Sequence, residues 1–211
     1  MLTQFKESYD YIKTRTNVQP SIGIILGTGL GGLVNEINII DEIAYKDIPN
    51  FPLSTVQSHS GKLMFGELGG KKVVAMQGRF HFYEGYTMKE VTFPVRVMKF
   101  LGIERLFVSN ASGGVNPNFE IGDLMIQTDH INFFSAHPLV GKNLAELGPR
   151  FPDMSEPYDT SLKDKAIKIA VKEMGAKSEK VEDISLVIFP KDVSSKDYKL
   201  AYKMTLPFDS K

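Results

Sequence analysis

The sequence predicts an α/β domain with a central mixed β-sheet. Short apolar runs rich in β-branched residues alternate with segments of helical periodicity, and this alternation is typical of the class. The length of 211 residues suits one globular domain. Hydrophobic residues make up 42% of the chain and charged residues 24%, a composition that does not indicate disorder.

Helices are predicted where apolar residues recur at helical spacing. The first helix has its apolar residues at Leu2, Phe5, Tyr9 and Ile12. Gly102 is a stop signal for the third helix, and Pro94 inside that segment predicts a break or a late start. The predicted helices are 2–14, a short helix around 33–35, 87–101 and 159–174.

Strands are predicted where apolar residues run together between turn signals. Residues 21–26 are a short run typical of a buried strand. Two further runs flank Gly69-Gly70, which predicts a hairpin. Segments 41–60 and 133–158 contain prolines and are expected to be irregular. The predicted strands are 21–26, 62–68, 71–77, 104–109, 123–128 and 185–189.

The residue types exclude several classes of function. Lys and Arg number 25, as do Asp and Glu, so no general positive field favours nucleic acid or an anionic membrane. There is no cysteine, which excludes disulfides, thiolate nucleophiles and cysteine metal sites. No metal site is predicted, because no two histidines have the spacing of a helix face. Without a membrane span or an apolar signal-peptide core, a cytoplasmic protein is expected.

Loops with unusual residues follow three of the predicted strands, after Leu26, Gln77 and Ser109. Ligands of α/β sheets bind at the carboxyl ends of strands, so these loops are the candidate site. The first carries Gly27, Gly29 and Gly32 in a Gly-x-Gly-x-x-Gly pattern. This pattern predicts a phosphate-cradling loop, to which the Thr28 hydroxyl adds a donor.

The glycines alone leave three interpretations of the first loop open. A free phosphate is one, and a nucleotide cofactor is another, with Asp47 at about the right distance to bind a ribose. A purely structural tight turn is the third.

The second loop, residues 78–86, combines a cation with aromatic side chains. Arg79 offers a planar fork for phosphate oxygens. His81 and Tyr83 offer hydrogen bonds and a stacking surface, and Glu84 would orient His81. The alternative is a surface loop with aromatic anchors and a solvated Arg–Glu pair.

Small residues fill the third loop, Ser109 to Gly114, so that a ligand can approach backbone amides that donate to an anion or a sugar. A tight turn between a strand and a helix is the alternative. His59 stands in a polar loop, where it is either a surface residue or a phosphate partner.

Taken together, these motifs resemble the trimeric purine nucleoside phosphorylase family, which includes the related methylthioadenosine phosphorylases. Segment 79–86, with its His and Tyr, looks more like the purine nucleoside branch. Each motif is unspecific alone, but their order and spacing along residues 20–175 are specific. The motifs that carry the resemblance are 26–33, 59–61, 78–86, 110–114, 129–132 and 148–155.

The resemblance implies a three-layer α/β/α fold around a central mixed, twisted sheet, with its C-terminal part missing. It also implies phosphorolysis, a glycosyltransferase reaction of purine salvage in which inorganic phosphate attacks the anomeric carbon of a purine (deoxy)ribonucleoside. Free purine and (deoxy)ribose 1-phosphate are the products. Phosphate is a co-substrate, no cofactor is implied, and the assembly implied is a homotrimer.

A role for each matching residue follows from the same resemblance. His81 and Tyr83 are implied to be catalytic, and Tyr83 is also implied to contact the sugar. Phe151 is implied to reach the sugar site of a neighbouring subunit. The implied phosphate contacts are Thr28, His59, Arg79, His81 and the backbone at Ala111.

The family pattern ends near Ala176, so we expect an incomplete nucleoside phosphorylase-like domain at 1–176 and a divergent tail at 177–211. Family members continue with a Gly-Pro-x-x-Glu-Thr segment and an Asn that bind the purine, and no counterpart is recognised here. We therefore expect a truncated or frame-disrupted member with weak activity at best, since losing charge stabilisation at one such site costs ~10²–10³ in rate. A non-catalytic phosphate- or nucleoside-binding remnant is the alternative. A third hypothesis, a dinucleotide-dependent oxidoreductase, is supported by the glycines of the first loop alone.

Overall fold

The computed structural model describes residues 1–27, 31–53, 61–114, 116–117, 119, 125–174, 186–187 and 203–204. The chain divides into two units. Met1–Ala111 and Ala136–Arg150 form the first, and Ser112–Ser135 and Phe151–Lys211 form the second.

The helices of the first unit follow the predicted ones closely. They are α1 (Leu2–Arg15), α2 (Met88–Val91) and α3 (Phe93–Phe100), with 3₁₀ helices at Gly31–Glu36, Tyr45–Asp47 and Phe82–Glu84. The predicted break near Pro94 is confirmed, because segment 87–101 forms two helices. Pro94 lies in the first turn of α3, where its missing N–H costs no hydrogen bond.

The strands of the first unit form one mixed sheet, in the order β2-β3-β4-β1-β5. The central strand β1 is parallel to β4 and β5, whereas β2, β3 and β4 pair antiparallel. The predicted mixed sheet and the hairpin at Gly69-Gly70 are therefore confirmed. The strands are β1 (Ile22–Ile25), β2 (Asn38–Ala44), β3 (Lys62–Leu68), β4 (Lys71–Gln77) and β5 (Arg105–Val108).

The expectation that 41–60 is irregular is wrong at its start, because β2 pairs with β3 along its length. The register shifts between Ile39 and Asp41, which leaves Ile40 as an extra residue of a β-bulge. The bulge interrupts the alternation of apolar and polar residues by which a half-buried strand is recognised.

Helices α1 and α3 cover one face of the sheet. Leu63 and Phe65 of β3 point into this layer, where the rings of Phe5 and Phe93 lie with centroids 4.8 Å apart. Met64 points to the opposite face, as the two-residue period of a strand requires. Both faces of β3 are therefore buried.

The second unit contains α4 (Thr160–Met174) and the short antiparallel pair β6 (Leu186–Val187) and β7 (Lys203–Met204). These confirm the predicted helix at 159–174 and a strand within 185–189. The predicted strand at 123–128 is wrong for residues 125–128, which have irregular backbone, and 123–124 lie outside the described residues. The long irregular segment 133–158 is confirmed.

Within the described part of the chain, no helix has both the length and the apolar character needed to cross a membrane. The cytoplasmic location and the tail at 177–211 stay predictions.

The packing of α1 leads to a stability prediction. Ile12 is 0% exposed, whereas Ile169 in α4 is 61% exposed. Ile12→Ala should lower the free energy of unfolding by about 2–5 kcal/mol, because it leaves a cavity in the core. Ile169→Ala, the matched control, should change it by only about 0.5 kcal/mol. Urea unfolding of both variants measures the difference, and equal losses would contradict the assignment of α1 to the core.

Candidate functional site

The loops that follow Leu26, Gln77 and Ser109 leave the sheet at the same edge. Strands β4, β1 and β5 are neighbours and parallel, so their carboxyl ends lie side by side. The prediction that these loops share one edge is therefore confirmed. Each loop contributes a group to the polar cluster described next.

Gly27 brings the end of β1 against the end of β5. Its backbone N–H donates to the Oγ of Ser109 at 3.0 Å. A Cβ at this position would lie 2.4 Å from the carbonyl oxygen of Ser109 and 2.7 Å from the Cα of Asn110. Only glycine allows this close approach without displacing backbone.

Arg79 crosses from the second loop to the third. Its Nη1 donates to the carbonyl oxygen of Ser109 at 2.9 Å, and its Nε donates to the Nε2 of His81 at 3.0 Å. Two acceptors therefore fix the plane of the guanidinium. A guanidinium has five N–H donors in a rigid fork, so this orientation determines where its other donors point.

The contact with Arg79 identifies which ring nitrogen of His81 accepts a hydrogen bond. Because the Nε of arginine is always a donor, the Nε2 of His81 accepts, and the proton of the neutral ring is assigned to Nδ1. Nδ1 is buried and lies 3.3 Å from the Oε1 of Glu84, although the two groups are poorly aligned for a hydrogen bond. Oε2 of Glu84 accepts from the backbone N–H of His81 at 3.2 Å. Glu84 thus holds the backbone of His81 and lies beside its ring, but it forms no hydrogen bond with Nδ1, so the prediction that it orients the ring stays a prediction.

Tyr83 lies on the outer side of His81. The two rings are stacked, with centroids 4.8 Å apart and planes inclined by 22°. The Tyr83 side chain is 77% exposed. It therefore presents a ring and a hydroxyl beside the Arg79–His81 pair.

The start of the second loop is attached to the core by a residue that the sequence analysis missed. The hydroxyl of the buried Tyr45 donates to the carbonyl oxygen of Gly78 at 2.7 Å. Gly78 has a φ of +85°, which glycine adopts without strain. An aromatic residue directly after a strand would have indicated this role for Tyr45, but strand β2 itself was not predicted.

Ser109 accepts hydrogen bonds from both other loops, although its role was not predicted either. Its position as the last residue of a predicted strand was the available signal.

The other predicted site residues are not part of this polar cluster as the structure describes it. Ala111 is exposed and follows Ser109 by two residues. Thr28 and His59 lie outside the described residues. Phe151 is 87% exposed and belongs to the second unit.

An open groove of about 610 Å³ adjoins this edge of the sheet. Leu26 and Ser109 line it together with apolar side chains that include Leu33 and Phe107. The walls of the groove are predominantly apolar, and of the polar cluster only Ser109 lines it.

The dinucleotide interpretation of the glycines does not agree with the strand order. It requires a second strand parallel to β1 and next to it, ending in the acidic residue. The strand that precedes Asp47 is β2, which is antiparallel to β3 and separated from β1 by two strands.

The described residues contain no group of three or more His, Asp or Glu side chains that would hold a metal ion.

A sequence model described as the phosphorylase superfamily matches residues 21–185. Over 170 residues the chain is 56% identical to purine nucleoside phosphorylase 1 of Bacillus subtilis, covering 81% of this chain and 63% of that protein. The chain belongs to the purine nucleoside phosphorylase family. It is also 49% identical to the purine nucleoside phosphorylase of Bos taurus, covering 77% of this chain and 57% of that protein. It thus spans about 60% of the length of these curated relatives.

The fold agrees with the family. Isoform 2 of purine nucleoside phosphorylase from Schistosoma mansoni, solved with cytosine and ribose-1-phosphate, matches with a TM-score of 0.80 and 43% identity. The match covers 93% of this chain and 70% of the Schistosoma chain. The expected nucleoside phosphorylase-like α/β fold is therefore confirmed.

The contact at Gly27 leads to a second prediction. Gly27→Ala should lower the free energy of unfolding by about 1–3 kcal/mol, because the new Cβ pushes β1 away from the Ser109 carbonyl. Gly32→Ala is the control, since a Cβ there meets nothing within 4 Å, and stability should be unchanged or higher by up to about 1 kcal/mol. Urea unfolding compares the two. A Gly27 variant as stable as the parent would show that the strand ends are not in close contact.

Proposed function

We propose that the chain carries the phosphate half of a purine nucleoside phosphorylase site and catalyses phosphorolysis of purine nucleosides. The observation that carries the proposal is the orientation of Arg79. Two acceptors, the Ser109 carbonyl and the His81 ring, hold its guanidinium at the edge where the three loops leave the sheet.

Phosphate is the ligand that this arrangement suits. Planar guanidinium groups bind phosphate oxygens with two parallel hydrogen bonds, and the two contacts within the protein use only part of the donor set of Arg79. We assign further phosphate contacts to Thr28, His59 and the backbone of Ala111. We assign His81 to the same site as the residue that holds Arg79, because its Nε2 accepts from Arg79 and its Nδ1 is buried. An anion bound at a preoriented cation does not have to order that side chain first.

The sugar is assigned to the outer side of the same cluster. Tyr83 stacks on His81 and is exposed on the side where a ribose next to the phosphate would lie. Phe151 is the proposed sugar contact from a neighbouring subunit, which makes a homotrimer the proposed assembly. A large exposed aromatic side chain is typical of a residue that becomes buried in an interface.

The proposed reaction needs no covalent intermediate. An oxygen of phosphate forms a bond to C1′ of the nucleoside while the C1′–N bond breaks, and the electron pair of that bond leaves with the purine, which takes a proton from water. Fixing phosphate against C1′ lowers the barrier by orientation, and charge on the sugar is stabilised by the nearby anion. Inorganic phosphate is the co-substrate, and no cofactor is proposed.

The Schistosoma relative supports this assignment, since the ligands named for its structure include ribose-1-phosphate, the product class of such a reaction.

Inosine phosphorolysis tests the function. The purified chain should release hypoxanthine only when phosphate is present, and Arg79→Ala should reduce this rate by ~10²-fold. Arg105→Ala is the control, because Arg105 is an exposed arginine whose charged partner is Glu104, and it should leave the rate unchanged. Coupled detection of hypoxanthine measures all three.

The possible results of this assay distinguish an active phosphorylase from a non-catalytic phosphate-binding remnant. Phosphate binding that requires Arg79, without hypoxanthine release, would identify a non-catalytic remnant. Release that does not depend on phosphate would contradict phosphorolysis.

A site shared between subunits predicts that two defective variants repair each other. Phe151→Ala should raise the KM for inosine about tenfold while leaving phosphate affinity unchanged, since it removes only the sugar contact. Co-expression with Arg79→Ala should restore part of the activity, because mixed trimers contain sites with both residues intact. Ile169→Ala is the control for a neutral exposed apolar change. Sedimentation as a monomer, or no recovery in mixed assemblies, would contradict the shared site.

A further inference from the structure

Tyr45 is a buried polar residue that none of the proposed chemistry uses. It follows β2 directly, and its side chain is among the most enclosed in the first unit, at 3% exposure. Its hydroxyl donates to the carbonyl oxygen of Gly78, 33 residues later in the chain. This bond joins the hydrophobic core to the residue immediately before Arg79.

The Tyr45 ring is held on several sides. It packs against the rings of Phe51 and Phe80, with centroids 5.5 Å and 5.3 Å away. A Cβ added to Gly61 would lie 2.3 Å from the ring. The ring therefore cannot shift without moving its neighbours, and the hydroxyl is a fixed donor.

The same residue is also bonded through its backbone. The N–H of Tyr45 donates to the carbonyl oxygen of Gly61 at 2.9 Å. Tyr45 thus fixes the residue just before β3 and the residue just after β4. These are the two ends of the hairpin that leads into the Arg79 loop.

The position of Arg79 depends on the peptide group before it. The carbonyl that Tyr45 holds belongs to the peptide unit joining Gly78 to Arg79, and Gly78 is at a φ of +85°. Glycine has access to many other conformations, and the hydrogen bond from Tyr45 favours the one observed. A rotation of this peptide would carry the guanidinium away from the Ser109 carbonyl and the His81 ring.

We propose that Tyr45 is a positioning residue for the phosphate site, whose hydroxyl fixes the Gly78–Arg79 peptide and thereby aims the Arg79 guanidinium. This inference rests on the proposed function, since it takes Arg79 to be the phosphate ligand. Burial raises the pKa of the Tyr45 hydroxyl well above its ordinary value, so the group remains a donor in mildly alkaline solution.

Calorimetric titration with inorganic phosphate tests the inference in the intact chain. Tyr45→Phe keeps the ring and removes only the donor, and it should weaken phosphate binding by about three- to tenfold. Tyr9→Phe is the matched control, because Tyr9 also packs against the core but lies on α1 beside Phe100. Its phosphate affinity should equal that of the parent.

A second control separates positioning from stability. Ile12→Ala should destabilise the protein more than Tyr45→Phe does, yet it should bind phosphate normally at a temperature well below its melting temperature. Loss of phosphate affinity in proportion to loss of stability across these variants would overturn the positioning role.

Arg79→Ala distinguishes the inference from the function on which it rests. If Arg79→Ala binds phosphate as the parent does, the proposed phosphate site is wrong. If Arg79→Ala loses binding and Tyr45→Phe does not, the phosphate site stands and the inference is overturned.

A second variant covers the case in which Tyr45→Phe does not fold. Gly78→Ala strains the same peptide from the other side, while its Cβ would be 3.4 Å from its nearest neighbour, an ordinary contact distance. It should also weaken phosphate binding several-fold. Unchanged affinity in a folded Gly78 variant would show that the position of this carbonyl does not matter.

Discussion

The parallel pairing of β1 with both β4 and β5 is the constraint on which the site depends. It places the carboxyl ends of three strands side by side, although the residues that follow them are far apart in sequence. Gly27 and Arg79 both reach Ser109 for this reason. Reversing either outer strand would send its loop to the opposite edge of the sheet.

Preorganisation is the physical property that the cluster provides. A long arginine side chain loses much rotamer freedom when it binds an anion. Here the Ser109 carbonyl and the His81 ring already hold it, and Glu84 holds the His81 backbone in turn. The cost of ordering the cation is therefore met by folding, and Tyr45 extends this order from the core to the loop.

Strand order also distinguishes a dinucleotide site from a phosphate site, which the glycine pattern alone does not. A glycine-rich turn after a strand serves dinucleotides in one fold and phosphate in another, because both need close approach to backbone amides. In this sheet β1 is flanked by β4 and β5, and the chain after Gly27 leads instead to the distant strand β2. The pairing of the strands decides a question that the local motif does not.

Local patterns by themselves determined α1, the β3–β4 hairpin and the loops that carry Arg79, His81 and Tyr83, because periodicity and turn residues act over a few positions. They missed β2, whose bulge at Ile40 breaks the alternation, and they missed the roles of Ser109 and Tyr45. Those roles depend on the partners at Gly27, Arg79 and Gly78, which are 30 or more residues away in the chain. Only the tertiary structure decides such pairings, since hydrogen bonds between distant segments form after the sheet has aligned its strands.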